Sequence, residues 1–369
     1  MNWTEYTLGE LLSYEQPTNY IVESTKYNDK FLTPVLTAGK TFILGYTNEK
    51  DGIYSDLPVI IFDDFTTASR YVNFPFKVKS SAMKILTPNI ELVIPKFIYY
   101  RMQAIQFDSS THKRYWIQQY SKIKVVVPPI LVQEQIVSRI EELFSKLDKG
   151  VETLQTIKQQ LAVYQQVILK EEFAETTKYA PFGTIMQSRL GKMLDKKKNT
   201  GVLQRYLRNI NVRWFSFDLS DIQQMKIEPS EHEKYSIEPG DLIICEGGEP
   251  GRCAVWESSE TVYYQKALHR VRFCADKNPK YYMYYLWYAA QCGKLSSYFT
   301  GTGIKHLTGQ SLERVPVPVI ERENQDSVVE RIETHLSVCK SIEMTICTAL
   351  MQADAMRQSI LKQAFEGEI

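Results

Sequence analysis

Residues 133 to 173 align with residues 325 to 365 without a gap, at a constant offset of 192, and no other feature of the 369-residue chain limits its architecture as strongly. Arg139-Ile140-Glu141 falls on Arg331-Ile332-Glu333, and Ile168-Leu169-Lys170 falls on Ile360-Leu361-Lys362. Upstream, Ser121 to Pro128 matches Ser311 to Pro318 at offset 190, and Pro95-Lys96-Phe97 matches Pro279-Lys280-Tyr281 at 184. Leu8-Gly9-Glu10-Leu11 resembles Phe182-Gly183-Thr184-Ile185 at 174. The offset grows along the half, so the second copy carries insertions in its globular part and none in its last segment. The chain reads as a tandem duplication, about 1–175 and 176–369, each copy long enough to bury its own core.

The gapless segments are predicted helices. Ile136, Ile140, Leu143, Leu147, Gly150, Leu154, Ile157, Leu161, Tyr164 and Ile168 step by alternating four and three residues, the spacing of a coiled-coil seam. Their counterparts are Val328, Ile332, His335, Cys339, Ile342, Ile346, Ala349, Ala353, Met356 and Ile360. Each helix lacks proline and spans roughly 40 residues, about 60 Å at 1.5 Å per residue. A rod of that length cannot bury its stripe alone, and the economical partner is the other copy. Two copies related by a pseudo-twofold axis pack antiparallel, with a globular unit at each end. His335 reads as a tolerated or edge-facing histidine.

The globular parts mix short apolar runs, Val59-Ile60-Ile61-Phe62 and Leu242-Ile243-Ile244-Cys245, with turn signals such as Asp51-Gly52, Pro239-Gly240 and Gly247-Gly248. Each is expected to be an α/β (α+β) domain of short strands. The aromatic runs Phe97 to Tyr100 and Tyr281 to Trp287 occupy equivalent places and read as packed helices rather than as base-stacking platforms.

Lys plus Arg number 44 against 43 Asp plus Glu, so a net charge of +1 gives no global attraction for polyanions. Any such site must be local. The six cysteines lie in the second half without a CxxC pair, which suits reduced thiols better than disulfides or zinc. With neither a signal-like start nor an 18-residue apolar run, a cytoplasmic protein free of the membrane is expected.

The motifs that imitate enzymes fail on backbone chemistry. Pro34 to Thr41 mimics a phosphate-binding loop around Lys40, with Asp63 as its acidic strand residue, but Pro34 stands where glycine must bend the chain. Asn73-Phe74-Pro75-Phe76 is similar to the adenine clamp of amino-methyltransferases, yet its second residue is wrong and no glycine-rich cofactor loop precedes it. Gly247 to Arg252 is too irregular for a dinucleotide fingerprint and reads as a glycine-rich turn presenting Arg252. No catalytic or metal-binding residues are assigned.

Local basic stretches are more informative. Residues 184 to 214 hold Arg189, Lys192, Lys196, Lys197, Lys198, Arg205, Arg208 and Arg213 against one acid, Asp195. Residues 66 to 90 hold Arg70, Lys77, Lys79 and Lys84 with no acid, and Tyr263 to Phe273 holds Lys266, His269, Arg270 and Arg272 with none. Each copy also places a basic loop before its late strand, with His112, Lys113 and Arg114 in the first and Lys305 and His306 in the second. Phosphate neutralisation needs several cations on one face, and base reading needs Arg, Lys, Asn or Gln at its centre. Arg208-Asn209-Ile210-Asn211-Val212-Arg213 supplies both kinds. The candidate DNA contacts are Lys40, Arg70, Lys77, Lys79, Lys84, Lys113, Arg114, Arg189, Lys192, Arg205, Arg208, Asn209, Asn211, Arg213, Arg252, Lys266, His269, Arg270, Lys305 and His306.

The whole chain resembles the DNA-specificity subunit of type I restriction-modification enzymes. The residues that carry the likeness are Val127-Pro128-Pro129 to Gln133-Glu134-Gln135-Ile136, Val315-Pro316-Val317-Pro318 to Glu323-Asn324-Gln325, and the endings Ile168 to Phe173 and Ile360 to Gly367. The resemblance implies a first target-recognition domain over 1–129, a spacer helix over 130–175, a second recognition domain over 176–320 and a second helix over 321–369. It implies a non-catalytic chain that reads an asymmetric bipartite site in double-stranded DNA. Its helices dock two methyltransferase subunits and the restriction/translocase subunits, and S-adenosylmethionine, ATP and Mg2+ belong to those partners. The alternative is a coiled-coil assembly scaffold that has lost DNA specificity.

Overall fold

The computed structural model describes residues 3–39, 41–110, 113–174, 177–195 and 199–367. The chain forms two compact units, one of Met1–Gln155 with Cys347–Ile369 and the other of Thr156–Ile346. Each unit therefore joins one globular part to part of each long helix.

Unit 1 contains β1 (Thr4–Thr7), the one-turn α1 (Leu8–Leu11), β2 (Leu12–Glu15), β3 (Thr33–Leu36), β4 (Ile43–Thr47) and β5 (Val59–Asp63). These are followed by β6 (Ser69–Val72), β7 (Lys77–Val78), β8 (Met83–Pro88), α2 (Pro95–Gln103), β9 (Lys124–Val127) and the start of α3 (Ile130–Ala174). An antiparallel sheet of order β2-β8-β5-β6 lies against a second sheet of order β4-β3-β7, and β1 pairs with β9. The run Val59 to Phe62 is wholly buried because β5 is covered on both faces. Ile60 and Phe62 join the core under the helices, while Val59 and Ile61 join the core of the second sheet.

Unit 2 contains β10 (Tyr179–Pro181), β11 (Met186–Leu190), β12 (Val202–Leu207), β13 (Val212–Arg213), β14 (Ser216–Phe217), β15 (Gln223–Ile227), the one-turn α4 (His232–Tyr235) and β16 (Ser236–Ile237). It continues through β17 (Leu242–Cys245), β18 (Cys253–Val255), β19 (Val262–Tyr264), β20 (Leu268–Phe273), α5 (Pro279–Gln291), α6 (Gly309–Arg314), β21 (Pro316–Pro318) and the start of α7 (Arg322–Glu366). Its sheets run β11-β20-β17-β18 and β15-β12-β19-β16, with β10 on β21. The plan of unit 1 is repeated. Leu242 and Ile244 face one core, and Ile243 and Cys245 face the other. The parallel pair β3 and β7 recurs as β12 and β19.

The aromatic runs are packed helices, as expected. Pro95 and Pro279 open α2 and α5 in the first turn, where a missing N–H costs nothing, and Phe97, Ile98, Tyr281 and Tyr282 are buried.

The helices pack antiparallel within each unit. In unit 1, Ile140 shares a core with Leu361 and Ala364, and Asp148 pairs with Arg357. In unit 2, Glu172 pairs with Arg331 at 2.6 Å, and Leu161 and Ile168 close over Cys339. The seam is uneven. Ile136, Ile140, Leu161, Ile168, Val328, Ile332, Ile346 and Ile360 are buried, and Leu143, Leu147 and Leu154 are half-buried. Ile157, Ile342 and Met356, expected in the seam, are exposed. The short side chains of Cys339 and Ala353 are buried in the seam, whereas Gly150 is exposed with open space where a Cβ would stand. His335 is exposed and sits beside Tyr164, its Nδ1 3.5 Å from the hydroxyl.

Candidate nucleic-acid interface

In each unit three connections meet, and most of the candidate contacts lie on or beside them. In unit 1 they are the β3–β4 connection, the β5–β6 turn and the segment after α2. Arg70 of β6 donates from Nη2 to the Gly39 carbonyl at 3.3 Å. Asp64 receives the Tyr115 N–H on its carbonyl at 3.0 Å and the Trp116 N–H on its carboxylate at 2.8 Å. Between these connections lies a cleft of about 460 Å³ lined by Gly39, Thr66, Thr67, Ser69, Arg70 and Gln103. Lys113 and Arg114 stand exposed beside it in sequence, the Arg114 guanidinium 6.0 Å from the Phe65 ring.

In unit 2 the corresponding connections are β12–β15, β17–β18 and the segment after α5. Asn209 donates from Nδ2 to the Gly247 carbonyl at 2.8 Å, and Arg252 donates from Nη2 to the Asn209 carbonyl at 2.9 Å. The Leu307 N–H reaches the Glu246 carbonyl at 2.7 Å, the counterpart of the Tyr115 to Asp64 bond. Gly247 lies against His306, and a Cβ there would stand 3.0 Å from its Nδ1, so a side chain at this position would push the imidazole aside. Half-buried His306 and exposed Lys305, which donates to the Gly301 carbonyl at 3.0 Å, complete the cluster.

Several candidate contacts are corrected by their burial. Lys77 is 4% exposed, 2.9 Å from Glu49 and donating to the Asp51 carbonyl at 2.7 Å. Lys84 is 2% exposed and pairs with Asp64 at 3.3 Å, with the Tyr14 ring at 5.0 Å. Lys192 is buried against Glu231, and Arg270 donates to the Ser236 carbonyl. Asn211 is buried as a turn-former, accepting from the Arg208 N–H and donating to the Asp218 carbonyl, each at 2.9 Å. His269 is buried, its Nε2 3.0 Å from the Leu307 carbonyl, and burial lowers its basicity. These side chains hold the fold and do not face solvent. Composition could not reveal this, because a buried, paired lysine and a solvated one look alike in sequence.

Four of the eight cations of residues 184 to 214 carry a carboxylate partner, Lys192 among them, and so does Arg252 outside that stretch. Arg205 pairs with Glu260, Arg208 with Asp221 at 2.6 Å, Arg213 with Asp218 at 3.4 Å, and Arg252 with Glu249 at 2.8 Å. The hydrogen bond from Arg208 holds the Asp221 carboxyl below its ordinary range. Lys79, Lys113, Arg114, Arg189, Lys266 and Lys305 are exposed and have no carboxylate within ion-pair distance among the described residues. Lys40, His112 and Lys196 to Lys198 lie outside the described residues.

Among the described residues, six buried side-chain polar atoms lack a hydrogen-bond partner, and three of them belong to one group: Arg208 Nε, Asn209 Oδ1 and Arg252 Nε. Arg70 Nε is a fourth, beside the unit 1 cleft. Such unpaired atoms cost free energy and concentrate where a site is built for something other than stability. Gln103 and Glu249 escaped the sequence reading. Gln103 donates to Ser69 Oγ at 2.7 Å at the cleft wall, and Glu249 takes both the Trp214 indole N–H at 2.7 Å and Arg252. Only tertiary proximity singles them out.

Residues 1–162 match the family described as type I restriction modification DNA specificity domain. Among curated relatives, the EcoR124I/EcoR124II specificity subunit of Escherichia coli is 43% identical over 174 residues, 44% of this chain and 43% of the relative. The EcoKI specificity subunit of Escherichia coli strain K12 is 23% identical over 271 residues, 68% of this chain and 58% of the relative. The chain thus spans about half the length of these two relatives. A chain from a structural study of type I restriction-modification complex assembly superposes with a TM-score of 0.75 at 15% identity, over 100% of this chain and 98% of that one. The HsdS subunit from Thermoanaerobacter tengcongensis gives 0.57 at 15% identity, over 100% and 97%. At such identity the structures establish the fold.

The fold these structures share has two globular parts of one plan and two long helices, and the family match covers the first globular part and most of the first helix. Residues 1–162 carry the type I restriction modification DNA specificity domain, and the full chain shares its fold with solved chains of type I restriction-modification systems.

Proposed function

We propose that the chain reads DNA sequence for a type I restriction-modification assembly, each unit reading one half of an asymmetric bipartite target. The observation that carries this is the repetition of one strand order with different residues at the three converging connections. A shared frame presents Gln103 and Thr66 in one unit and Asn209 and His306 in the other. Two readers of one plan and different chemistry recognise two different half-sites. Exposed Lys113 and Arg114 in unit 1, with Lys266 and Lys305 in unit 2, supply phosphate contacts.

The two helices act as the spacer between half-sites and as the docking place for two methyltransferase subunits and the restriction/translocase subunits. Catalysis belongs to those partners, with S-adenosylmethionine, ATP and Mg2+. In this reading the chain works in the cytoplasm and leaves all three to its partners.

The carboxylate on each of Arg205, Arg208, Arg213 and Arg252 is the one observation that favours the scaffold reading, because it weakens the field of unit 2. Selection from a pool of random-sequence duplexes by the full chain in its purified complex decides between them. Enrichment of one asymmetric motif in two parts with a fixed gap supports sequence reading. Retention of duplexes without any enriched motif leaves the scaffold.

A further inference from the structure

We infer that Arg70 and Arg252 are positioning residues, struts that fix the target-reading connections and set half-site specificity through loop geometry rather than by touching phosphate or base. The inference rests on the DNA reading proposed above.

Each arginine sends Nη2 to a main-chain carbonyl on the connection between the first two strands of the second sheet. Arg70 reaches Gly39 at 3.3 Å, and Arg252 reaches Asn209 at 2.9 Å. The two are not the same residue copied. Asp64 and Glu246 are equivalent, since their N–H groups bond the carbonyls of Ala82 and Ala267 at the same step of the sheet. Two residues earlier, Phe62 pairs with Ser69, and Ile244 pairs with Cys253. That register sets Arg252 level with Ala68 and Arg70 level with Ala254. The same contact built from two different strand positions is therefore not a by-product of duplication.

One guanidinium is tied at a second point, and the other, that of Arg70, lies beside the Tyr99 hydroxyl of α2, where burial raises the hydroxyl's pKa and Arg70 opposes the rise. Arg252 donates from Nη1 to Glu249 at 2.8 Å, and Glu249 also holds the Trp214 indole, so the connection is gripped at Asn209 and again at Trp214. A phosphate would have to displace Glu249 to reach Arg252. In each arginine the Nε is buried without a partner while Nη2 is held by a main-chain carbonyl, a cost in stability that fits a geometric role.

The test is duplex selection with the full chain in its complex, comparing the wild type with Arg70→Lys, Arg252→Lys and Lys305→Gln. Lysine keeps the charge but cannot span two acceptors as a planar fork does. Arg252→Lys is expected to blur one half of the enriched motif and leave the other sharp, and Arg70→Lys to do the reverse. The slope of log affinity against log salt on a non-specific duplex stays at the wild-type value for both, whereas Lys305→Gln lowers it by about one ion and leaves the motif intact. Both halves remaining sharp in the lysine variants, or a lowered slope with an intact motif, overturns the inference. If a lysine variant unfolds its unit, Glu249→Gln loosens the Arg252 strut without touching the guanidinium. An unchanged motif in that variant also overturns it. A wild-type chain that enriches no motif overturns the DNA reading, and the inference with it.

Discussion

Gln133 donates from Nε2 to the Pro128 carbonyl at 2.8 Å, inside the core of unit 1. Gln325 makes the same contact with the Ile320 carbonyl, also at 2.8 Å, in unit 2. Both side chains are 0% exposed. Their Oε1 atoms accept from the N–H of Ile94 and of Asn278, each one residue before the proline that opens the neighbouring helix. One carboxamide thus joins the entry of a long helix to the entry of a short one, in both copies. Either Gln→Ala change strands buried backbone groups, at about 1 to 3 kcal/mol each. Urea unfolding is expected to show a loss of at least about 2 kcal/mol in the affected unit; a loss below about 0.5 kcal/mol contradicts the assigned role.

Lys84 and Lys113 were alike in sequence and are opposites in the structure. Lys84 shares a buried ion pair with Asp64, so Lys84→Ala leaves a buried carboxylate unanswered and costs about 3 to 5 kcal/mol of stability. Lys113→Ala leaves stability within about 0.5 kcal/mol and lowers the salt slope of DNA binding by about one ion. Thermal unfolding and salt titration of both variants check this, and an exchange of the two phenotypes contradicts it.

The long apolar runs were legible because β5 and β17 are covered on both faces, and a strand so placed needs no alternation. The helices were legible from their period and from the gapless repeat. What the sequence did not disclose was pairing: Lys77 with Glu49, Lys192 with Glu231 and Arg208 with Asp221 join residues 13 to 39 positions apart. Nothing local marks such a lysine as interior. Ile157 and Ile342 fit the seam period and are nevertheless exposed, because period alone does not say which turn of a long helix meets its partner.

His269 carries a pH dependence of known sign. Burial is the leading cause that holds its folded pKa below the ordinary 6.5, opposed by Glu246, the Leu307 carbonyl and Glu313. The unfolded chain therefore binds the proton more readily, so this contribution to stability is complete above the unfolded pKa and falls as the pH drops below it. Unit 2 is expected to lose stability below about pH 6.5, with a shallower loss in His269→Gln. Parallel profiles for wild type and variant would falsify this.

The spacer role predicts that deleting four residues from α3, about one turn, changes the gap between half-sites while both half-sites persist. Sequencing of selected duplexes measures the gap. An unchanged gap rules out the helices as the ruler.

The central claim, that this chain supplies sequence recognition, is tested most directly by mapping methylated adenines in the host genome with and without its gene. The account predicts the disappearance of methylation at one asymmetric bipartite motif, and the return of a motif altered in one half alone when residues 1–129 are exchanged for those of a relative. A methylation map unchanged by loss of the gene, in cells where the methyltransferase partner is active, contradicts it.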